Sequence, residues 1–327
     1  MLSFSEHSSY VHRMNGFSQP HYVQGRASIA DLFSSGKRCG LYILQFSDGE
    51  IYAGQALDVT RRYVQHRKVH CDIEKISFKR VAKKTLNEEE RTLIWMLEHE
   101  GYRLRNITFT SIPRGESDFD LIMSAEEQER WLKDTSYVDL SGSRVVDPEL
   151  RRKYSRKFQR FVALPYSNEI MNVLRKYIHA GIPAPLRSEL SFWACSCLPS
   201  YSYPNETVYS RINIHWQEVF TASVYKGDIV FSFHLALSPL EEAFGESLSP
   251  LLEKFPSLEA TEHFYEPGGQ NQINLVIEGA ESAEVFMRQK EIVSAMRLFN
   301  LRLMKKGACA YSRYHCMDLA DRLTRGA

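Results

Sequence analysis

The chain predicts an α+β protein: a small three-stranded antiparallel sheet flanked by helices, followed by a second α+β domain. Three observations carry this. Residues 40–54 alternate as two strands about Ser47-Asp48-Gly49, and helical and strand patterns then alternate as far as residue 114. At 327 residues the chain exceeds one typical domain. Its second half also carries its own helices and strands.

Taken in order, residues 1–35 are polar and without a clear period, and read as an N-terminal arm. After the hairpin, Asp58 offers an N-cap to a helix over 59–69. A strand is expected at 75–82. A helix follows over 87–102, capped by Asn87, with Glu88 and Glu89 in its first turn and Gly101 at its end. These pieces make one domain, 36–115. Residues 116–160 read as a basic, helical connection, and 161–327 as a C-terminal α+β domain for target recognition or dimerisation. Within that domain the pattern predicts a helix over 167–181, two strands about Lys226-Gly227-Asp228, a strand near 271–279 and one long helix over 281–307.

The bulk properties narrow the class. The composition is 43% hydrophobic and 25% charged, ordinary for a soluble globular protein. No run of eighteen apolar residues is present, so no membrane partner is expected. The first residues lack the pattern of a secretory signal, which makes a cytoplasmic setting with reduced thiols the expectation. Cys195, Cys197, His215, Cys309, His315 and Cys316 match no strong zinc-ligand pattern, and the cysteines read as buried free thiols. The net charge of +1 hides basic clusters at 59–84, 151–160 and 297–306, and an acidic stretch at 241–266. Local basic patches in a neutral chain suit an anionic partner at one face.

Chemistry concentrates in the first domain. Glu90 lies on the same helical stripe as Leu86, Leu93, Ile94 and Leu97, a costly place for a carboxylate without a partner or a metal. Arg62 and His66 are four apart and share a face of the preceding helix. The hairpin has two registers. A two-residue loop puts Tyr42 and Tyr52 on opposite faces. A three-residue loop with Gly49 left-handed pairs Phe46 with Glu50, Leu44 with Tyr52 and Tyr42 with Gly54, which sets both phenols on one face. A functional pair requires the second register, with both phenols on the face that looks at Arg62 and Glu90.

Gly40-Leu41-Tyr42, followed by Tyr52-Ala53-Gly54, resembles the GIY-YIG nuclease motif. Arg62 and His66, ten and fourteen residues beyond Tyr52, stand where that family has its first-helix arginine and histidine. Glu90 resembles its metal-binding glutamate, and Asn106 the asparagine that closes the module. The resemblance covers residues 40–107. Leu41 and Ala53 replace isoleucines at apolar structural positions.

The resemblance implies a metal-dependent endonuclease that hydrolyses DNA phosphodiesters, with restriction or defence against foreign DNA as the setting. It implies Mg²⁺ or Mn²⁺ on Glu90, Arg62 on the phosphate, and Tyr42 or His66 as the base. Tyr52 bonds the water or phosphate, and Asn106 positions the site. Nearby Arg61, Arg67, Lys75, Lys79 and Lys84 are candidates for phosphate contacts. One such site cuts one strand, so double-strand cleavage calls for a homodimer or sequential nicks. The alternative is a catalytically silent nucleic-acid- or protein-binding module on the same fold.

Overall fold

The turn at Ser47-Asp48-Gly49 sets the first sheet. Gly49 has a φ of 84°, its N–H donates to Phe46 O, and Phe46 N–H donates to Glu50 O, so the loop has three residues. The computed structural model describes residues 16–107, 109–200, 204–261, 263 and 265–324. The chain divides into two units, 1–115 and 116–327.

In the first unit, β1 (His21–Tyr22), β2 (Gly40–Phe46), β3 (Ile51–Ala56) and β4 (Ile73–Arg80) form an antiparallel sheet in the order β1-β4-β2-β3. The sheet therefore has four strands where three were expected. The fourth comes from the arm, and two residues are too few to show alternation in a sequence. Of that arm, residues 1–15, which include most of the stretch read for a secretory signal, lie outside the described residues. Its later part is core: Val23, Ile29 and Phe33 are buried, and the Tyr63 hydroxyl donates to Val23 O at 2.9 Å.

Helix α1 (Val59–Val69) starts at Asp58, whose carboxylate accepts from the N–H groups of Thr60 and Arg61. It packs Val59 and Tyr63 on the sheet face that carries Tyr42, Leu44 and Phe46. Helix α2 (Leu86–His99) covers the other face, burying Leu86, Leu93, Ile94 and Leu97 against Leu41, Ile43 and Ala53. Asn87 is not its cap. The N-cap is Thr85, and Asn87 lies inside the first turn, where its Oδ1 accepts from Gln55.

The second unit is a six-stranded antiparallel sheet, β5 (Trp193–Cys197), β6 (Glu206–Ile214), β7 (Gln217–Tyr225), β8 (Asp228–Leu235), β9 (Leu258–Thr261) and β10 (Ile273–Glu278), in the order β5-β6-β7-β8-β10-β9. Its helices are α3 (Ala125–Lys133), α4 (Pro148–Val162), α5 (Ser167–Gly181), α6 (Pro185–Ser188), α7 (Ser238–Phe244), α8 (Ser249–Lys254), α9 (Ala280–Phe286), α10 (Lys290–Lys305) and α11 (Met317–Thr324). The cross-strand row Cys195, Ile212, Phe220, Phe233, Leu275 belongs to the main core. The neighbouring row Ser196, Arg211, Thr221, Ser232 marks a polar second face.

Several expectations are corrected here. The two strands about residue 226 are three, because the chain also reverses at His215-Trp216, where His215 takes a φ of 53° with no glycine to announce it. The long helix over 281–307 is two, interrupted after Phe286 and restarted at Lys290. The span 116–160 places Phe119, Met123, Trp131, Tyr154 and Phe158 in the second unit's core. Arg297, counted in a basic surface cluster, is fully buried.

Candidate active site

In the observed register Tyr42 stands opposite Gly54 and Leu44 opposite Tyr52, so both phenols point to the α1 face. Their rings stack with centroids 6.1 Å apart. A Cβ placed on Gly54 would lie 2.5 Å from Tyr42 Oη and 2.8 Å from Tyr52 Cε1. Only glycine leaves room for the pair at this point. From α1, Arg62 Nε donates to Tyr42 Oη at 3.2 Å, and His66 Nε2 lies 2.7 Å from the same oxygen. The Tyr52 ring lies 4.6 Å from the His66 ring, so the imidazole contacts both phenols.

The electrostatics set these groups' protonation. Burial, followed by the neighbouring Tyr52, raises the Tyr42 phenol well above its ordinary value, and the Arg62 contact offsets only part of that. The cationic neighbours therefore do not bring this phenol down to neutrality, contrary to what its surroundings suggest in sequence. His66 is not one of those cations: burial, then Arg62 and His70, lower its pKa to about 4. It is a neutral imidazole at pH 7, and with its proton on Nδ1 it accepts the Tyr42 hydroxyl hydrogen. The hydrogen bond to Tyr42 is the main cause that raises the Arg62 pKa, and its charge is permanent.

Glu90 arrives from the other side. The expectation that it shares a face with the phenols is corrected, since its helix packs on the opposite face. It reaches the site around β3, the edge strand. The outward backbone groups of β3 are met in series. Ile51 N–H donates to Arg103 O and Ile51 O accepts from Arg105 N–H. Ala53 N–H donates to Asn106 Oδ1 at 3.0 Å, while Asn106 Nδ2 donates to Ala53 O at 2.7 Å. Gln55 N–H donates to Glu90 Oε1 at 3.2 Å, and Gln55 Nε2 to Glu90 Oε2 at 2.9 Å. Asn106 thus stands in for one ladder partner and Glu90 for the next. Burial raises the Glu90 pKa, and Gln55 and then Arg62 work against that rise.

Two residues of this arrangement escape sequence reasoning. Gln55 holds both oxygens of Glu90; its only signal is its place beside Gly54, on the outward side of an edge strand. Arg105 ties the hairpin down, with Nη2 at 2.7 Å from both Asp48 and Asp72, Nε at 3.0 Å from Glu50, and its guanidinium 3.7 Å over the Phe46 ring.

The five expected phosphate contacts do not gather at one place. Arg61 and Arg67 are on α1, with Arg61 fully out in solvent near Asp58. Lys75 and Lys79 pair opposite Gln45 and Leu41, so they share the α2 face, away from the phenols. Lys79 is bound to Glu89 at 3.0 Å. Lys84 is exposed in the short turn before α2.

Among the described residues no three His, Cys, Asp or Glu side chains cluster as a metal cage. The donor at the site is one carboxylate. That fits Mg²⁺ or Mn²⁺, hard ions that take one or two protein carboxylates and fill their remaining positions with water and substrate phosphate. Each Glu90 oxygen keeps acceptor capacity beyond the one Gln55 hydrogen bond it receives. In the second unit Cys195, Cys197, Cys309 and Cys316 are buried free thiols, and His315 is bound to Glu189 at 2.8 Å. Comparison of the chain with protein-family models, with curated proteins and with solved structures finds no match.

Proposed function

We propose that the first unit is a metal-dependent phosphodiesterase of the GIY-YIG type, an endonuclease acting on DNA. The observation that supports it best is the convergence of Tyr42, Tyr52, Arg62 and His66 from one face, and of Glu90 around the edge from the other, on the Gly54-Gln55 stretch of one edge strand. Those residue types answer the three needs of phosphodiester hydrolysis: a charge on the phosphate, a route for the water's proton, and help for the leaving oxygen.

Glu90 is the residue that would hold Mg²⁺ or Mn²⁺, with Gln55 fixing the carboxylate's orientation. Such an ion, when bound, supplies Lewis-acid neutralisation of phosphate oxygen charge. Arg62 binds a non-bridging phosphate oxygen with its outer nitrogens while its Nε stays on Tyr42. Tyr42 orients the attacking water and takes its proton as its own hydroxyl proton passes to His66 Nε2, 2.7 Å away. His66 is a weak base in the free protein. An anionic phosphodiester drawn to Arg62 raises its pKa, so substrate binding itself prepares the acceptor. Tyr52, half-buried beside the same imidazole, is placed to hydrogen-bond the phosphate or the water.

The test is cleavage of supercoiled plasmid DNA with Mg²⁺ or Mn²⁺. Glu90→Ala should abolish it, by about a thousandfold or more, while the melting profile stays close to that of the wild type. Gln55→Ala should weaken the metal dependence and leave residual cutting. Full activity in Glu90→Ala, or no cleavage of any DNA by the wild type, overturns the assignment and leaves a binding module on this fold.

A further inference from the structure

The polar face of the second unit's sheet carries a cavity of about 530 Å³. This lies within the roughly 300–1,000 Å³ of ordinary small-ligand sites. Its lining includes Ser196, Arg211 and Asn213 from β5 and β6, Tyr154 of α4, Tyr265 and Tyr311 from loops, and Tyr314 from the 3₁₀ turn Ser312–Tyr314. Lys153 and Lys157 of α4 complete the rim.

The charges are unbalanced in one direction. Arg211 is matched by Glu218 at 2.7 Å. Lys153 and Lys157 have no acidic partner among the described residues; Lys157 Nζ donates to Leu198 O at 2.9 Å, which uses one of its three N–H groups. Two ammonium groups without counter-ions therefore stand over a cavity walled by aromatic rings. Asn213 is 8% exposed and lines the same cavity, where its side-chain amide can offer both a donor and an acceptor.

We infer that this cavity binds a nucleotide, with the base against the tyrosine rings and the phosphate on Lys153 and Lys157. A flat π-face, an anionic group and a hydrogen-bonding edge are the three features the lining can satisfy together. Asn213 and the Arg211–Glu218 pair offer both donors and acceptors to a base edge. The same chemistry is presented by a free nucleotide and by an unpaired base of a nucleic-acid strand. The inference stands on the second unit alone and does not depend on the phosphodiesterase assignment.

Calorimetric titration of the full chain in chelator tests it, because no metal-dependent cleavage then intervenes. The probes are the four deoxynucleoside monophosphates, deoxyadenosine, inorganic phosphate and a twelve-nucleotide single strand. At least one monophosphate should bind, and both deoxyadenosine and inorganic phosphate should bind about tenfold more weakly or worse. Tyr314→Ala should weaken binding about tenfold, the scale of one lost base–aromatic stack, while Tyr314→Phe retains it. Lys153→Ala with Lys157→Ala should weaken it at least as much. Tyr314 is exposed, so its variants keep the question open to test even if the double lysine variant unfolds.

The strand is the source if it binds about a hundredfold tighter than the monophosphates, with the Tyr314 and lysine variants weakening it. A free nucleotide is the source if the monophosphates bind and the strand does not. The inference is overturned if neither binds, if inorganic phosphate binds as tightly as the nucleotides, or if the Tyr314 and lysine variants bind like the wild type.

Discussion

Arg62 in the first unit and Arg297 in the second show how differently one side chain can be used. Arg297 is fully buried and surrounded by backbone carbonyls: Nε donates to Ala180 O at 2.7 Å, Nη1 to Asp134 O at 2.8 Å and to Trp131 O, and Nη2 to Tyr137 O at 2.8 Å and to Thr135 O at 3.1 Å. All five donors are consumed, and the guanidinium also lies 4.5 Å over the Trp131 ring. Burial lowers its pKa to about 10, still far enough above neutrality to keep it charged. Arg62 is exposed and gives one donor to Tyr42 and another to Gln65. The rest of its fork is available to a ligand. An arginine whose donors are exhausted holds a fold together; one with donors to spare, anchored at Nε, is equipped to bind.

The contrast is sharpest if each arginine is removed. Arg297→Ala leaves five carbonyls without their donors and a cavity beside Trp131. Its expected cost is about 3–5 kcal/mol of stability, read as a lowered midpoint of the second unit in denaturant. Arg62→Ala should leave the first unit's stability within about 0.5 kcal/mol of the wild type, since the side chain is exposed. It should instead raise the barrier to DNA cleavage by about 3 kcal/mol, a loss of roughly a hundredfold or more in kcat/KM. A stability loss for Arg62→Ala as large as that for Arg297→Ala would erase the distinction.

These two residues also show what a sequence can and cannot reveal. Arg62 stood out because Tyr42, Tyr52, His66 and Glu90 stand around it at the intervals of the motif they resemble, whereas the hairpin pattern alone left two registers open and only the requirement for a functional pair pointed to the observed one. Arg297 read as one more basic residue near Lys305 and Lys306. Its burial depends on carbonyls contributed by residues 131–137 and 180, contacts that no local pattern encodes. The same holds for β1, whose two residues are a strand only because β4 offers them an edge. His215 reverses the chain without the usual glycine because Ala310 N–H donates to its carbonyl oxygen, again from far away in the chain. On the site, Glu90 could be named from its stripe, but not the face from which it arrives. That follows from α1 and α2 packing on opposite sides of one sheet, and spacing along a helix cannot report it.

A finer comparison lies between two buried histidines. His66 Nε2 is met by Tyr42, whereas His234 Nε2 in the second unit has no partner among the described residues. Burial lowers both, His66 to about 4 and His234 to about 3. Unfolded, each titrates near 6.5. Between the two values the unfolded chain binds the proton and the folded chain does not, so stability falls as pH drops below about 6.5 and levels off once the folded value is passed. By pH 5.5 the His66 share of that loss is about 1.4 kcal/mol. His66→Gln should remove this share, flattening the fall in stability between pH 7 and 5.5 for the first unit and leaving the second unit's dependence as it was. Substrate separates the two residues further. A phosphodiester analogue bound at Arg62 should move the His66 imidazole NMR titration upward and leave His234 in place, because only His66 shares a phenol with the arginine that holds the phosphate. An unmoved His66 titration in the saturated complex would remove it from the proton route and leave Tyr42 without an acceptor.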